Sequence, residues 1–366
     1  MTTLHTAHGA VDTYTSEDAV PETASGTATA TATVTDVAPE TAPVSETAPA
    51  AAPDASAIQG DAGISRHVVV APGMCSGGSL VFGRIGDWTW EVVGESCDIN
   101  VHAATTAGGD PAYLSFYYFH VRGGDTVHPH GLTFGDELRV DSRSFQFGSQ
   151  SVVTLHRLAP AGLELPEGPL DPAEVYEHPH PHCLYAENFN RWIARTTQGS
   201  NRGLAQVAPP DFTYRNLAPL PNAYSPRSLV GRARATGSFH PEGPAGFHEA
   251  GRPHTFTYTL DVVRDLNGAG LMYFASYFAV FDTMLLRVWR SLGRTDEEFL
   301  RRKVTDQKLG YFGNADPGTV FEITVRRWRG ATSPGVEVFD MALRETATGQ
   351  LIAVTAIELA DVPEEA

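Results

Sequence analysis

Beyond residue 65, the chain alternates runs of β-branched and aromatic residues with glycine and proline breaks. Such runs are typical of β-strands, because branched and aromatic side chains pack well on a pleated surface. The first half contains RHVVVAPG, WTWEVV, AYLSFYYFHV, ELRVDSRSFQF and SVVTLHRL. The second half contains HTFTYTLDVV and ends with TVFEITVRRWR, GVEVFDMALRET and QLIAVTAIEL. The ATGQ segment between the last two runs predicts a hairpin, so the chain closes with an antiparallel meander.

One long apolar segment predicts a buried helix rather than a strand. It covers about 271–292, and the run from Gly268 to Trp289 includes a single acid, Asp282, and a single base, Arg287. The apolar stretch before Asp282 is shorter than the ~20 residues that a membrane span needs, so we expect no membrane insertion. A second, charged helix follows, for which Thr295 is the expected N-cap and Glu297 and Glu298 fall in the first turn.

The order of these elements predicts the fold class. A strand, a long buried helix, a short helix and an antiparallel meander form the order of a hot-dog fold, in which a sheet wraps around one helix. PGMCSGGSLVFGRIGDWTWEVV and the strands after it resemble a second copy, and each copy has an acid in its apolar segment, Asp87 and Asp282. We therefore predict an α+β double hot-dog fold with domains at 65–227 and 228–366. Loop-like stretches at 159–182 and 208–227 interrupt the first domain.

Residues 1–64 differ from the rest in composition. They contain neither Lys nor Arg and are rich in Ala, Thr, Pro, Glu and Ser. A segment of this kind buries too little apolar area to offset its chain entropy, so we expect a disordered tail. The tail lacks the basic start and apolar core of a signal peptide, and either a solvated arm or a docking segment fits its composition.

Charge and cysteine content exclude several function classes. The chain has 43 acidic and 26 basic residues, a net charge of −17, and no concentrated basic run, so nucleic acid is not an expected partner. Three scattered cysteines, Cys75, Cys97 and Cys183, do not form a disulfide framework. We therefore expect a cytoplasmic protein.

The entrance to the long helix offers the first candidate site. Hydrolytic hot-dog relatives usually have an acid three residues before the glycine that opens this helix, whereas here Asn267 precedes Gly270. Backbone N–H groups at a helix N-terminus suit a thioester oxygen that gains negative charge. Asn267 has no basic carboxylate to activate water, which favours a substrate that is itself an acid. Two alternatives remain open: Asn267 caps the helix, and the aromatic run with Tyr273 and Tyr277 is core rather than pocket wall.

Tyrosine, asparagine and histidine clusters offer further candidates. On a strand, Tyr113 and Tyr117 share one face while Tyr118 faces the other way, and any of the three has a hydroxyl suited to acyl or proton transfer. Four further residues are candidates for substrate binding. They are Asn188 and Asn190 in YAENFNRW, His128 in VHPHG and Thr133 in LTFGDELRV. The EHPHPHC run suggests a metal, but X-Pro steps favour an extended chain, so we expect no metal site.

Taken in order, PGMCSGGSLVFGRIGDWTWEVV, YLSFYYFHVRGG, LTFGDELRV, YAENFNRW, DVVRDLNGAGLMYFASYFAVFD and YFGNAD resemble a known family. They are similar to the leinamycin-type bifunctional acyltransferase/decarboxylases of modular polyketide pathways, over about residues 66–360. The resemblance implies a double hot dog that decarboxylates methylmalonyl-CoA and places the propionyl group on the phosphopantetheine of an acyl carrier protein. It implies an active-site tyrosine among Tyr113, Tyr117 and Tyr118, and no metal or flavin cofactor. It leaves a monomer or a weak homodimer open.

Two other functions stay open beside this one. An acyl-CoA or acyl-carrier thioesterase requires a catalytic acid, and Asp265 supplies one only in a shifted register. A non-catalytic hot-dog scaffold that binds carrier protein predicts no turnover of any malonyl-type thioester.

Overall fold

A computed structural model describes residues 63–75, 78–333 and 335–362. The predicted tail lies outside these residues, apart from Gly63 and Ile64 at its end, and Ile64 opens the first strand. The strands of the first half are β1 (Ile64–Val69), β2 (Tyr113–Arg122), β3 (Glu137–Gln146), β4 (Ser151–Pro160), β5 (Leu184–Arg195) and β6 (Leu204–Gln206). Those of the second half are β7 (Phe247–Glu249), β8 (His254–Thr259), β9 (Lys303–Tyr311), β10 (Val320–Gly330), β11 (Glu337–Glu345) and β12 (Leu351–Ala360). The helices are α1 (Gly78–Ser96), α2 (Pro172–Tyr176), α3 (Arg227–Thr236), α4 (Phe274–Ser291) and α5 (Asp296–Leu300).

The strands form one sheet in which the same topology occurs twice. The first half has the order β1-β3-β4-β5-β2, and the second has β8-β10-β11-β12-β9, with every pairing antiparallel. In each half, one strand precedes the long helix and the other four follow it. The two copies join where β2 pairs with β9, between Tyr118↔Gly310 and Arg122↔Asp306. This duplication is the double hot-dog fold that the element order predicts.

The two long helices pack against each other on one face of the sheet. The rings of Phe82 in α1 and Phe278 in α4 have centroids 4.3 Å apart, and both residues belong to the main hydrophobic core. In α1, Val81, Ile85, Trp88 and Val92 are fully buried. Their spacing is that of a helix face, which explains why WTWEVV is helical and not the strand that its composition suggests.

The opposite face of the sheet is covered in part by α3. Val230 and Ala233 pack with Tyr118 and Phe189 in a second hydrophobic cluster. Neither α3 nor β9 was predicted, because α3 is short and rich in arginine and β9 begins directly after α5. The capping of α5 by Thr295 is confirmed, since its side chain accepts a hydrogen bond from the Glu298 backbone and Glu298 bonds back. Across the residues that the structure describes, every helix is too short or too polar to span a membrane.

Candidate active site

A cavity opens where β2 and β9 separate. The two strands pair only as far as Tyr118 and Gly310, and beyond this point the start of β2 diverges from the segment that follows β9. The resulting space has a volume of about 850 Å³. Phe116 from β2, Tyr273 and Phe274 from the start of α4, and Phe312 and Asn314 after β9 are among its lining residues. The cavity therefore lies at the junction of the two hot-dog copies, where both contribute side chains.

A bulge in β2 determines which tyrosines reach this cavity. The pairing of β2 with β5 shifts between Phe116 and Tyr118, so Tyr117 is the extra residue. As a result, Tyr117 and Tyr118 both belong to the cluster opposite the long helices, while Phe116 and Phe119 face the core around those helices. Our prediction that Tyr118 faces away from Tyr117 is wrong for this reason.

Tyr113 and Tyr117 line the cavity, whereas Tyr118 does not. Tyr118 is 1% exposed, and its hydroxyl has no hydrogen-bond partner among the described residues. Burial raises the pKa of this hydroxyl well above its ordinary value. The Tyr113 hydroxyl accepts a hydrogen bond from Arg195 Nη1 at 3.3 Å. The Tyr117 ring lies 3.6 Å from the guanidinium carbon of Arg191.

The loop before α4 has a different geometry from the one predicted. The helix begins at Phe274 with Tyr273 as N-cap, so Gly270 lies four residues upstream of the helix. Gly270 has a φ of 71°, a left-handed conformation that favours glycine, and it does not line the cavity. It is a turn residue and not the helix-opening donor.

Asn267 lines the cavity and shapes this loop without capping the helix. Its Oδ1 accepts hydrogen bonds from the backbone N–H groups of Ala269 at 3.0 Å and Leu271 at 3.1 Å. Asn314 fixes the next residue, because its Oδ1 accepts from Met272 N at 3.0 Å and its Nδ2 donates to Met272 O at 3.2 Å. The alternative in which Asn267 caps α4 is therefore wrong. Its Nδ2 has no hydrogen-bond partner within the described part of the chain.

Tyr273 and Tyr277 both line the cavity, on the side of the long helices. Tyr277 donates its hydroxyl proton to the Gly313 carbonyl at 3.0 Å, which joins α4 to the segment after β9. Burial raises the pKa of Tyr273 to about 12, and the negative charge of Asp87 adds to this shift. Asp87 itself lines the cavity, and burial raises the pKa of its carboxyl although Arg84 opposes the shift. A carboxyl group and a tyrosine hydroxyl from different copies thus face one space.

The other predicted binding residues lie outside the cavity. Asn188 faces α1, where its Nδ2 donates to Thr89 Oγ1 at 2.5 Å beside His156, and Asn190 is buried on the same side of β5. His128 and Thr133 lie in the loop between β2 and β3, away from the cavity lining. YAENFNRW is a buried strand and not a turn, so alternate residues face opposite sides of the sheet.

In the second copy, the helix acid is engaged by another side chain. Asp282 forms an ion pair with Arg302 at 2.9 Å, and the Arg302 guanidinium packs 3.8 Å from the Phe299 ring centroid. Asp265, the acid of the shifted-register alternative, accepts from the Tyr258 hydroxyl and the Asp261 N–H, both at 2.7 Å, and stabilises a turn. Asp87 is therefore the helix acid that a ligand in the cavity meets.

Four residues in or beside the cavity are not among the site candidates that the sequence offers. Arg191 and Arg234 line the cavity, and Arg195 bonds to Tyr113, while Asp87 was noted only as an acid within an apolar segment. The strand period in β5 was the available signal for Arg191, since it places Arg191 opposite Ser115 on the face of Tyr117. Arg234 is 43 residues further along the chain, and no local pattern predicts its approach. Among the described residues, no group of three or more potential metal ligands occurs.

An antiparallel sheet around a central helix, present twice in one chain, defines this protein as a double hot dog. A protein from Lactobacillus plantarum described as an oleoyl thioesterase has the same fold, with a TM-score of 0.54 at 8% identity over 83% of this chain and 97% of that chain. An acyl-ACP thioesterase from Bacteroides thetaiotaomicron gives a TM-score of 0.49 at 8% identity, over 81% and 97% of the two chains. A comparison with curated proteins found no match.

The family assignment rests on the sequence of the first copy. Residues 65–241 match the LnmK N-terminal Hot Dog Fold domain, so this part of the chain belongs to the LnmK-like hot-dog proteins. The matched segment contains Tyr113, Tyr117, Arg191 and Arg195, and it ends just after α3.

Proposed function

We propose that this protein decarboxylates methylmalonyl-CoA and transfers the propionyl group to the phosphopantetheine thiol of an acyl carrier protein in polyketide biosynthesis. The observation that carries the proposal is the contact of Tyr113 with Arg195 in a cavity whose entrance loop has Asn267 in place of an acid. Membership of the LnmK-like family supports the same activity. Hot-dog relatives described as thioesterases support a thioester substrate.

In the proposed reaction, Tyr113 is the acyl acceptor. Its oxygen attacks the thioester carbon, the C–S bond breaks, and the CoA thiolate receives the phenol proton. The C–C bond to the carboxylate then breaks, CO₂ leaves, and the enolate takes a proton from solvent to give a propionyl ester. The carrier thiol attacks this ester and restores the tyrosine. The overall reaction consumes one proton and releases CO₂ and CoA.

The surroundings of Tyr113 suit the charges that this reaction develops. Arg195 stabilises negative charge on the tyrosine oxygen, because a guanidinium remains protonated throughout the working pH range. The Asn267 amide is free to donate to the enolate oxygen. A carboxylate at position 267 repels the substrate's own carboxylate, so an amide there favours binding of a malonyl-type thioester.

Asp87 favours a second candidate function, hydrolysis of a thioester. It lines the cavity beside Tyr273, and burial raises the pKa of its carboxyl, which suits a general base for water. In this case free acid and CoA form without a carrier protein. The acyltransferase is preferred because hydrolysis leaves the Tyr113–Arg195 contact without a role.

The experiment is an incubation of the protein with methylmalonyl-CoA and a phosphopantetheinylated carrier protein, read by intact-protein mass spectrometry. We expect a propionyl mass on the carrier and release of CO₂. Free methylmalonate with an unmodified carrier establishes the thioesterase instead. No change with malonyl-, methylmalonyl- or ethylmalonyl-CoA contradicts both enzymes and leaves a carrier-binding scaffold. A parallel reaction without carrier shows whether acyl transfer to the protein itself precedes the final step.

A further inference from the structure

Three arginines around the cavity have no acidic partner among the residues that the structure describes. Arg191 and Arg234 line the cavity, and Arg227 begins α3 beside them. By contrast, most arginines elsewhere in the described residues pair with Asp or Glu, as Arg294 does with Glu337 at 2.8 Å. In a chain with a net charge of −17, three uncompensated guanidinium groups in one place are unusual.

Arg191 is the most buried member of this cluster. Its guanidinium carbon lies 3.6 Å from the Tyr117 ring centroid and 4.8 Å from that of Phe189, and its Nε is buried without a hydrogen-bond partner in the described chain. Burial lowers the pKa of Arg191, and the charges of Arg227 and Arg234 lower it further. A desolvated cation beside two other cations is stabilised when an anion binds.

The aromatic rings beneath the cluster hold it in place. Arg227 packs 4.2 Å from the Phe147 ring centroid and donates from Nη2 to the Phe147 carbonyl at 2.5 Å. Phe147 and Phe189 are themselves in edge contact at 4.8 Å, so Arg191 and Arg227 rest on adjoining rings. Arg234 is exposed on the last turn of α3, which contains no acidic residue. The three arginines therefore form a cationic surface on the face of the sheet opposite the long helices, and aromatic rings hold two of them in place.

We propose that Arg191, Arg227 and Arg234 bind the phosphate of the phosphopantetheine arm, which then enters the cavity toward Tyr113 and Asn267. This inference rests on the proposed function for its choice of ligand. A phosphate oxygen array suits several guanidinium groups at once. The substrate's carboxylate is a poorer occupant, because a guanidinium stabilises the ground state of that carboxylate more than the transition state in which its charge leaves.

Calorimetry with CoA, 4′-phosphopantetheine and pantetheine tests the subsite without requiring turnover. We expect Arg234→Gln and Arg191→Gln to weaken binding of CoA and 4′-phosphopantetheine about 10-fold or more, since a charged hydrogen bond contributes roughly 1.5–3 kcal/mol, and to leave pantetheine binding unchanged. Arg232→Gln is the matched control, because Arg232 is exposed on the same helix but does not line the cavity. Equal weakening for all three ligands, or wild-type binding in both variants, overturns the proposal.

Two phosphate sources are separated by a transfer assay. If the variants lose acylation by methylmalonyl-CoA, the subsite binds the phosphate of CoA. If they lose only transfer to the holo-carrier, the subsite binds the carrier's phosphodiester.

The binding and transfer readouts also separate this inference from the proposed function. Phosphate-dependent binding in a protein that turns over no malonyl thioester supports the subsite and removes the reaction. Normal turnover with binding that does not depend on the phosphate supports the proposed reaction and contradicts the phosphate subsite. Arg234→Gln alters an exposed side chain, so a folding defect in the Arg191 variant leaves the test intact.

Discussion

Arg195 connects Tyr113 to the loop that precedes α4. Its Nη1 donates to the Tyr113 hydroxyl at 3.3 Å, and its Nη2 donates to the Ala269 carbonyl at 2.6 Å. Asn201 Oδ1 accepts from the same guanidinium at 2.9 Å, which fixes its orientation. The first copy therefore supplies both the proposed acyl acceptor and the cation beside it, while the second copy supplies the loop with Asn267.

Replacement of Tyr113 is expected to abolish transfer without unfolding the protein. Tyr113→Phe removes the accepting oxygen, so propionyl transfer to the carrier should fall below detection, because no acyl-tyrosine ester can form. Tyr118→Phe is the control, because the Tyr118 hydroxyl is buried without a partner in the described residues and its removal relieves a desolvation cost. Full activity in Tyr113→Phe together with a loss in Tyr117→Phe moves the role to Tyr117.

Replacement of Asn267 tests the role of the missing carboxylate. Asn267→Asp retains an oxygen that accepts from Ala269 and Leu271, so the turn is preserved while a negative charge enters the cavity. We expect slower decarboxylation and a higher KM for methylmalonyl-CoA, with free methylmalonate as a new product, followed by mass spectrometry. Asn222→Asp adds the same charge at an exposed site and controls for net charge. Unchanged decarboxylation in Asn267→Asp contradicts the proposed role.

The two helix acids provide a matched pair for testing hydrolysis. Asp87→Asn removes the carboxyl that lines the cavity, so any release of free acid by the wild type should disappear while propionyl transfer is nearly unchanged. Asp282→Asn breaks the ion pair with Arg302 and is expected to lower the free energy of unfolding without altering the product ratio. Loss of transfer in Asp87→Asn shows instead that Asp87 takes part in the main reaction.

The sequence predicts features that depend on neighbouring residues better than contacts between residues far apart along the chain. Period and composition predict the long helix α4 and most strands, because these signals lie within one segment, whereas the composition of WTWEVV in α1 suggests a strand. Tyr118 was misplaced because a bulge between Phe116 and Tyr118 reverses the alternation, and no residue type marks that bulge. The polarity of Asn188 predicts a place in the cavity, yet strand alternation places it against Thr89 and His156. The cationic cluster joins β5 to α3, and such a contact follows only from the tertiary fold.

A buried histidine network predicts how stability depends on pH. His156 is 0% exposed, with Nδ1 2.8 Å from Ser142 Oγ and Nε2 2.9 Å from Thr89 Oγ1, and burial lowers its pKa to about 3. The unfolded chain therefore binds a proton below about pH 6.5 that the folded chain does not bind, and stability falls as the pH falls through that range. Between about pH 7 and pH 5 this single group lowers the free energy of unfolding by roughly 2 kcal/mol.

Urea denaturation at the two pH values measures that difference. His156→Gln is expected to reduce the loss on acidification, although it also lowers stability at neutral pH, because it disturbs the bonds to Ser142 and Thr89. His178→Gln is the control, since its side chain is 81% exposed. An acid dependence that is equal in wild type and His156→Gln assigns the effect to other groups.

Gly86 tests the close approach of the two long helices at the cavity. A Cβ added at Gly86 lies 2.1 Å from Cζ of Phe274, far below any normal contact. Phe274 stacks on Phe116 with ring centroids 4.0 Å apart, and both rings line the cavity. Gly86→Ala therefore displaces the Phe274 ring toward the open space, which costs about 1–3 kcal/mol of stability and reduces the volume for an acyl group. We expect a raised KM for methylmalonyl-CoA and a larger effect for ethylmalonyl-CoA.

Gly231→Ala on α3 is the control, because an added Cβ there meets nothing within 4 Å and alanine favours the helix by up to about 1 kcal/mol. Equal kinetics for the two acyl groups in Gly86→Ala indicates that the acyl chain does not approach Phe274.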